Sequence, residues 1–146
     1  MKILVVDDEA DIRESLCEIF REEGYDVVCA GSEVEALQEA LNGIDLAIVD
    51  IKLGHDNGIE VLRKLKKNYS YLPVIMITGF GTVALAKEAF RIGAHDFLEK
   101  PLRLIQVRTS VRNALEKVSL KKQLNRSSQV EVSSPVIVSS AMKQLY

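Results

Sequence analysis

The chain reads as an α/β protein: a doubly wound parallel sheet built as (βα)5, with strand order 2-1-3-4-5. Two observations predict this. Five short apolar runs rich in Val and Ile recur between residues 3 and 98, each nearly continuous, as strands buried on both faces should be. Between consecutive runs lies an amphipathic helical pattern with its own start and stop residues. Alternation at this spacing implies parallel strands joined by right-handed crossovers.

The elements follow in order. ILVV (Ile3–Val6) is the first strand, and Ile12, Leu16, Ile19 and Phe20 form the apolar stripe of the first helix, with Gly24 where a C-terminal cap belongs. DVVCA (Asp26–Ala30) is the second strand. Ser32 and Glu35 make a capping box for the second helix, which Asn42-Gly43 closes. DLAIV (Asp45–Val49) comes next, and Ile59, Leu62 and Leu65 mark the third helix. VIMI (Val74–Ile77) leads to a fourth helix capped by Thr82, carrying Leu85, Ala89 and Phe90 and stopped by Gly93. DFL (Asp96–Leu98) is the last strand, and Pro101 suits the start of a fifth helix.

Composition removes several classes of function. The chain has 146 residues, 47% hydrophobic and 27% charged, enough for one ordinary domain with a core. A net charge of −2 gives no electrostatic case for binding nucleic acid or an anionic membrane directly. No apolar stretch approaches a membrane span, and the first apolar run is too short for a signal peptide, so a cytoplasmic location is expected. Cys17 and Cys29 fit no ligand spacing and fall on apolar stripes, which predicts buried free thiols. His55 and His95 stand apart from each other, which argues against a histidine metal site.

In an open parallel sheet, the strand C-termini share one edge, and ligands bind there at the switch point. The residues standing at those ends are Asp7 and Asp8, Asp50, Thr78 and Lys100. With strands 1 and 3 adjacent, three carboxylates meet, an arrangement that repels itself unless a cation joins. The available ligands are all oxygens, which favours a hard ion. Few protein ligands with room for water suit Mg²⁺ better than Ca²⁺. Lys100 could neutralise phosphoryl oxygens, Thr78 could hydrogen-bond one, and Asp50, lying centrally, is the candidate nucleophile toward phosphorus. Singly, each residue has a plainer reading. Paired aspartates after a strand are commonly a solvated loop, Asp50 and Thr78 could be turn residues, and Lys100 a surface charge. Their joint placement on one edge carries the functional reading.

The segments "VVDDE", "IVDIKLGHDNGIEVL", "VIMITGFGTV" and "GAHDFLEKPL" together resemble the receiver domain of two-component response regulators, a flavodoxin-like fold, over residues 1–118. The resemblance implies that Asp50 is the phosphoacceptor and a sensor histidine kinase the donor. It implies Mg²⁺ held by Asp8, Asp50 and the backbone carbonyl of Lys52, with Asp7 acting largely through water. Thr78 and Lys100 would contact the phosphoryl oxygens, and Thr78 and Phe97 would form the switch. Phe97 taken alone is equally a core aromatic. Lys100-Pro101 would be the family's usual cis peptide. One departure stands out: Gly54 occupies a position where many relatives have Pro, which frees the backbone presenting the Lys52 carbonyl.

"TGFGTVALAKEAFRIGAHDFLEKP" looks most like the receivers of sigma-54-dependent activators of nitrogen regulation and C4-dicarboxylate transport. That likeness implies AAA+ and DNA-binding domains in the full-length protein. Leu104, Val107, Val111, Ala114 and Val118 keep a three-four spacing that continues to Leu124, a pattern able to form a two-stranded coiled coil. Residues 119–133 are expected as a helical linker followed by a flexible segment, and 134–146 as the start of a truncated AAA+ domain. A homodimer through the fifth helix and linker is expected, with the fourth helix and last strand adding area. Two readings stand beside the receiver. A Mg²⁺-dependent phosphatase or phosphotransferase would want a second Asp two residues after Asp50, where Lys52 stands; a binding scaffold would not need the full set of five residues. The expectation is a switch rather than a turnover enzyme.

Overall fold

The computed structural model describes the backbone of residues 1–79 and 81–133 and side chains through residue 120. Strands β1 (Lys2–Val6), β2 (Asp26–Ala30), β3 (Leu46–Asp50), β6 (Val74–Thr78) and β7 (Asp96–Glu99) form one parallel sheet in the order β2-β1-β3-β6-β7. This is the expected 2-1-3-4-5 order. Between β3 and β6 lies a small antiparallel hairpin that the sequence reading did not contain: β4 (Lys52–Leu53) and β5 (Asp56–Asn57).

Five helices cover the sheet: α1 (Ala10–Glu22), α2 (Glu33–Leu41), α3 (Gly58–Asn68), α4 (Val83–Ile92) and α5 (Leu104–Ser133). Strict alternation of neighbours along each strand splits the core in two. Ile3, Val5, Ile48 and Ile75 face Leu16 and Phe20 of α1 and Val107 and Val111 of α5. Leu4, Val6, Val49 and Met76 face Ala36 of α2, Leu62 and Leu65 of α3 and Ala89 of α4. Burying both faces is what the continuous Val/Ile runs require. In α4 only Ala89 is fully buried, while Phe90 is 49% exposed.

The caps form largely as their residue types dictate. Ser32 Oγ accepts from the Glu35 amide of α2, and Thr82 Oγ1 from the Leu85 amide of α4. Glu35 reaches back to the Gly31 amide, one residue before the cap. No Pro or Gly lies between residues 102 and 133, and α5 accordingly runs unbroken to Ser133 through the stretch read as flexible. The expected ATPase start at 134–146 lies outside the described residues. By its contacts the chain divides into two units, Met1–Leu115 and Glu116–Tyr146. Among the described residues no helix is long and apolar enough to cross a membrane.

The cysteine expectation is corrected. Cys17 and Cys29 are joined as a disulfide rather than standing as two free thiols. Helix α1 turns directly into β2 and packs against it, which brings the helix face carrying Cys17 onto the strand carrying Cys29. A spacing of twelve residues, matching no ligand motif, gave no sign of that pairing.

Candidate functional site

The order β2-β1-β3 makes the gap between the ends of β1 and β3 the place where successive connections leave in opposite directions. Main-chain bonds continue beyond the strands and fix the rim of this gap. The Asp7 amide donates to Ala30 O at 3.1 Å, the Ile51 amide to Ile77 O at 2.9 Å and the Lys100 amide to Thr78 O at 2.8 Å. Asp7, Asp50, Thr78 and Lys100 are thereby brought to one edge, as expected, with Asp8 beside them. Lys100-Pro101 is cis.

Carboxylate oxygens of Asp7, Asp8, Glu9 and Asp50 all lie within 4.8 Å of one another, the one such group among the described residues. Asp7 and Asp50 are buried, whereas Asp8 and Glu9 are exposed. Lys100 Nζ sits among them, 2.9 Å from Asp50 Oδ2, 3.2 Å from Glu9 Oε1 and 3.4 Å from Asp7 Oδ2. Asp50 Oδ1 accepts from the Lys52 amide at 3.2 Å. Asp7 Oδ1 accepts from the Glu9 amide at 2.9 Å, but Asp7 Oδ2 is buried with no hydrogen bond.

Electrostatics follow from that geometry. Burial pushes the Asp7 carboxyl up to about 6; the Asp50 charge adds to the rise, while the Glu9 amide and Lys100 oppose it. Burial works against the charge on Lys100, but its hydrogen bond to Asp50, the charges of Asp50 and Asp7 and a hydrogen bond to Glu9 outweigh it and hold the ammonium above the ordinary lysine range. One cation therefore serves several carboxylates and leaves a buried oxygen without a donor. The residues present fit a hard divalent cation: an all-oxygen set with an unsatisfied oxygen and open access on the Asp8 side.

The remaining expected residues are also placed. Thr78 is buried at the end of β6, opposite Glu99 of β7. Phe97 is half-buried on β7 opposite Met76 and packs on the α2–α4 side of the core. Three neighbours went unnoticed in the sequence. Glu9 pairs with Lys100; Arg13 donates to the Asp7 carbonyl at 2.7 Å. Asp56, in the hairpin, accepts from the Glu33 amide at 3.0 Å. For Glu9 the signal was its adjacency to the aspartate pair. Arg13 and Asp56 offered none, since lone charges on helices and turns are ordinary.

Close approach explains one glycine. A Cβ on Gly58 would overlap the Asp50 carbonyl oxygen and lie 2.7 Å from Ile51 Cα, and the Gly58 amide donates to Ile51 O. Only glycine allows α3 to start this close to the strand end that carries Asp50.

The comparisons with known proteins agree with this geometry. An NtrX-like response regulator of Rickettsia bellii is 35% identical over 124 residues, 83% of this chain and 26% of its own length. The regulatory protein AtoC of Escherichia coli is 33% identical, over 84% of this chain and 27% of its own. The chain therefore spans about a quarter of the length of these curated relatives. Among solved structures, the beryllofluoride-activated NtrC4 receiver domain dimer matches with a TM-score of 0.76 and 33% identity, covering 80% of this chain and 98% of that one. The family described as the response regulator receiver domain matches residues 3–112, a span that takes in all of the sheet but Lys2 and every carboxylate of the pocket. Acid pocket, strand order and this match converge on one conclusion: the chain belongs to the response regulator receiver domain family of two-component systems.

Proposed function

We propose that the chain is a phosphorylation-controlled switch in which Asp50 accepts a phosphoryl group from a phosphohistidine of a sensor histidine kinase. The observation that supports this most directly is the pairing of a buried Asp50 with Lys100 at 2.9 Å, beside a buried Asp7 oxygen that lacks a donor. Asp50 is a carboxylate at a fixed position, buried but beside the exposed Asp8 and Glu9. In the transfer, an Asp50 oxygen forms a bond to phosphorus as the P–N bond to the donor imidazole breaks, and the imidazole leaves with the electron pair. Lys100 then exchanges its contact with the Asp50 carboxylate for one with a phosphoryl oxygen, and the Thr78 hydroxyl supplies a hydrogen bond. Asp8, Asp50 and the Lys52 carbonyl would hold Mg²⁺ directly, with Asp7 through water; the ion would offset the charge gathering on the phosphoryl group. Lys52 stands where a phosphatase would need an acid/base carboxylate, so the aspartyl phosphate persists and acts as a signal.

The new charge and acceptor oxygens draw Thr78 toward the pocket, and Phe97, half-buried on β7, turns into the space behind it. The surface that changes is α4, β7 and the start of α5. A kinase must bring its histidine to Asp50. The apolar groove of about 380 Å³ lined by Ile12, Leu16, Leu102 and Leu104, next to Pro101, offers an adhesive surface beside the pocket. Downstream, the relatives' greater length supports AAA+ and DNA-binding domains beyond this stretch in a sigma-54-dependent activator acting in the cytoplasm. The dimeric NtrC4 receiver supports a homodimer regulated by phosphorylation.

Incubation with Mg²⁺ and a small acyl phosphate, followed by intact-mass measurement, tests the central claim. One stoichiometric phosphoryl adduct is expected on the wild type and none on Asp50→Asn, whose fold should persist because Asn keeps the shape and removes a charge from the acidic group. An adduct of equal stoichiometry on Asp50→Asn would place the acceptor elsewhere.

A further inference from the structure

The Lys52 carbonyl lies in a six-residue hairpin whose turn, Gly54-His55, has no proline to stiffen it. Gly54 has φ +60°, which a two-residue hairpin loop calls for at its first central residue and which Pro, held near −65°, cannot adopt. An isolated two-residue ladder is too short to be stable alone, so its position must be fixed from outside. On one side Leu53 is buried, and Asn57 caps α3 by accepting from the Ile59 amide at 2.9 Å. On the other side Asp56 Oδ2 accepts from the Glu33 amide at 3.0 Å. Glu33 is the first residue of α2, so that amide is one of the orphan donors of a helix start. A Cβ on Gly54 would stand 3.8 Å from Asp8 Oδ2, so the turn lies directly against the carboxylate pocket.

We infer that Asp56 is a positioning residue for the cation: its bond to the start of α2 holds the hairpin so that the Lys52 carbonyl faces Asp8 and Asp50. This rests on the proposed reading of the pocket as a Mg²⁺ site. The rigidity that proline supplies in many relatives is supplied here by a charge-assisted hydrogen bond spanning 23 residues of sequence.

The test is Mg²⁺ affinity measured by calorimetry on the full chain, with thermal stability recorded in parallel without metal. Asp56→Ala should weaken Mg²⁺ binding about tenfold, the usual scale for loss of a group that orients a ligand. Asp56→Asn keeps the acceptor oxygen and should retain most of the affinity, which separates positioning from simple loss of a nearby negative charge. Glu33→Pro removes the donor while leaving Asp56 intact, at a helix position that tolerates proline. It sacrifices only the exposed Lys64–Glu33 bridge besides. It should weaken Mg²⁺ binding as Asp56→Ala does, and the double variant should be no worse than either single one. Wild-type affinity in Asp56→Ala, or additive losses in the double variant, would overturn the inference. A melting temperature lowered without change in Mg²⁺ affinity would overturn it too, by reducing Asp56 to a structural role. If the wild type itself binds no Mg²⁺ at millimolar concentration, the reading of the pocket fails, and the inference with it.

Discussion

Burial takes Asp7 out of water while Asp50 stands beside it, and the result is a carboxyl whose proton is held up to about 6. Its value in an unfolded chain is near 3.8, so the native state binds the proton more tightly. The corresponding stabilisation is complete below the unfolded value and is lost as pH rises through about 6. In cation-free buffer, the urea midpoint of the wild type should therefore fall relative to Asp7→Asn between about pH 4 and pH 7. Under the proposed reading of the pocket, Mg²⁺ added at the upper end should restore the wild type, because a water held by the ion would give the buried oxygen a donor in place of the proton. A midpoint difference that does not change with pH would show that Asp7 is not the strained group. Asp7, Asp8, Asp50, Thr78 and Lys100 were all legible in the sequence, because each terminates an apolar run and the strand ends share an edge. Glu9 was passed over although it adjoins the aspartate pair, and Arg13 because a helical arginine has no pattern of its own; only the folded geometry shows what they touch.

At the scale of elements, short buried strands and capped helices announce themselves: four of the five main strands were legible as Val/Ile runs and the fifth as the short apolar run Asp96–Leu98. The β4–β5 hairpin was invisible, since two-residue strands have no periodicity to detect. It is nonetheless the element where the sequence departs from the family pattern it otherwise resembles, with Gly at position 54. Gly54→Pro, which looks like a return to the family pattern, should destabilise the protein by more than about 1 kcal/mol, because φ +60° lies outside proline's range. Urea denaturation measures this. A neutral or stabilised variant would mean that the turn can rebuild in the relatives' conformation. The Cys17–Cys29 pairing was misread for a related reason: sequence spacing reports ligand motifs, while contact between α1 and β2 is a matter of packing.

Across the whole molecule, α5 is long for a domain of this size, at 30 residues, or about 45 Å by the helical rise. Val107, Val111, Ala114 and Leu115 are buried under the sheet, whereas Leu120 is 59% exposed. An apolar stripe that continues past its own core is most simply covered by a symmetry mate. If the proposed homodimer forms through this helix, truncation after residue 118 should abolish it or weaken it by orders of magnitude in analytical ultracentrifugation. Equal dimerisation of the shortened chain would move the interface to α4 and β7. The helix was legible past the sheet as far as Leu124 from its three-four apolar spacing, whereas its run to Ser133 through the stretch read as flexible was not; what covers its outer part was not legible either, because a partner leaves no mark on one chain's sequence beyond an unpaired stripe.

The main-chain bonds that fix the pocket's rim join residue 7 to 30, 51 to 77 and 100 to 78. No contiguous fragment short of nearly the whole sheet can assemble the carboxylates with their lysine. Competence to receive a signal is thus a property of the finished fold alone. A nascent, nicked or partly unfolded chain offers scattered aspartates but no acceptor, so a kinase that recognises the assembled pocket inspects the integrity of its substrate in the act of modifying it. Under the proposed reading, every phosphorylated molecule is also a correctly folded one.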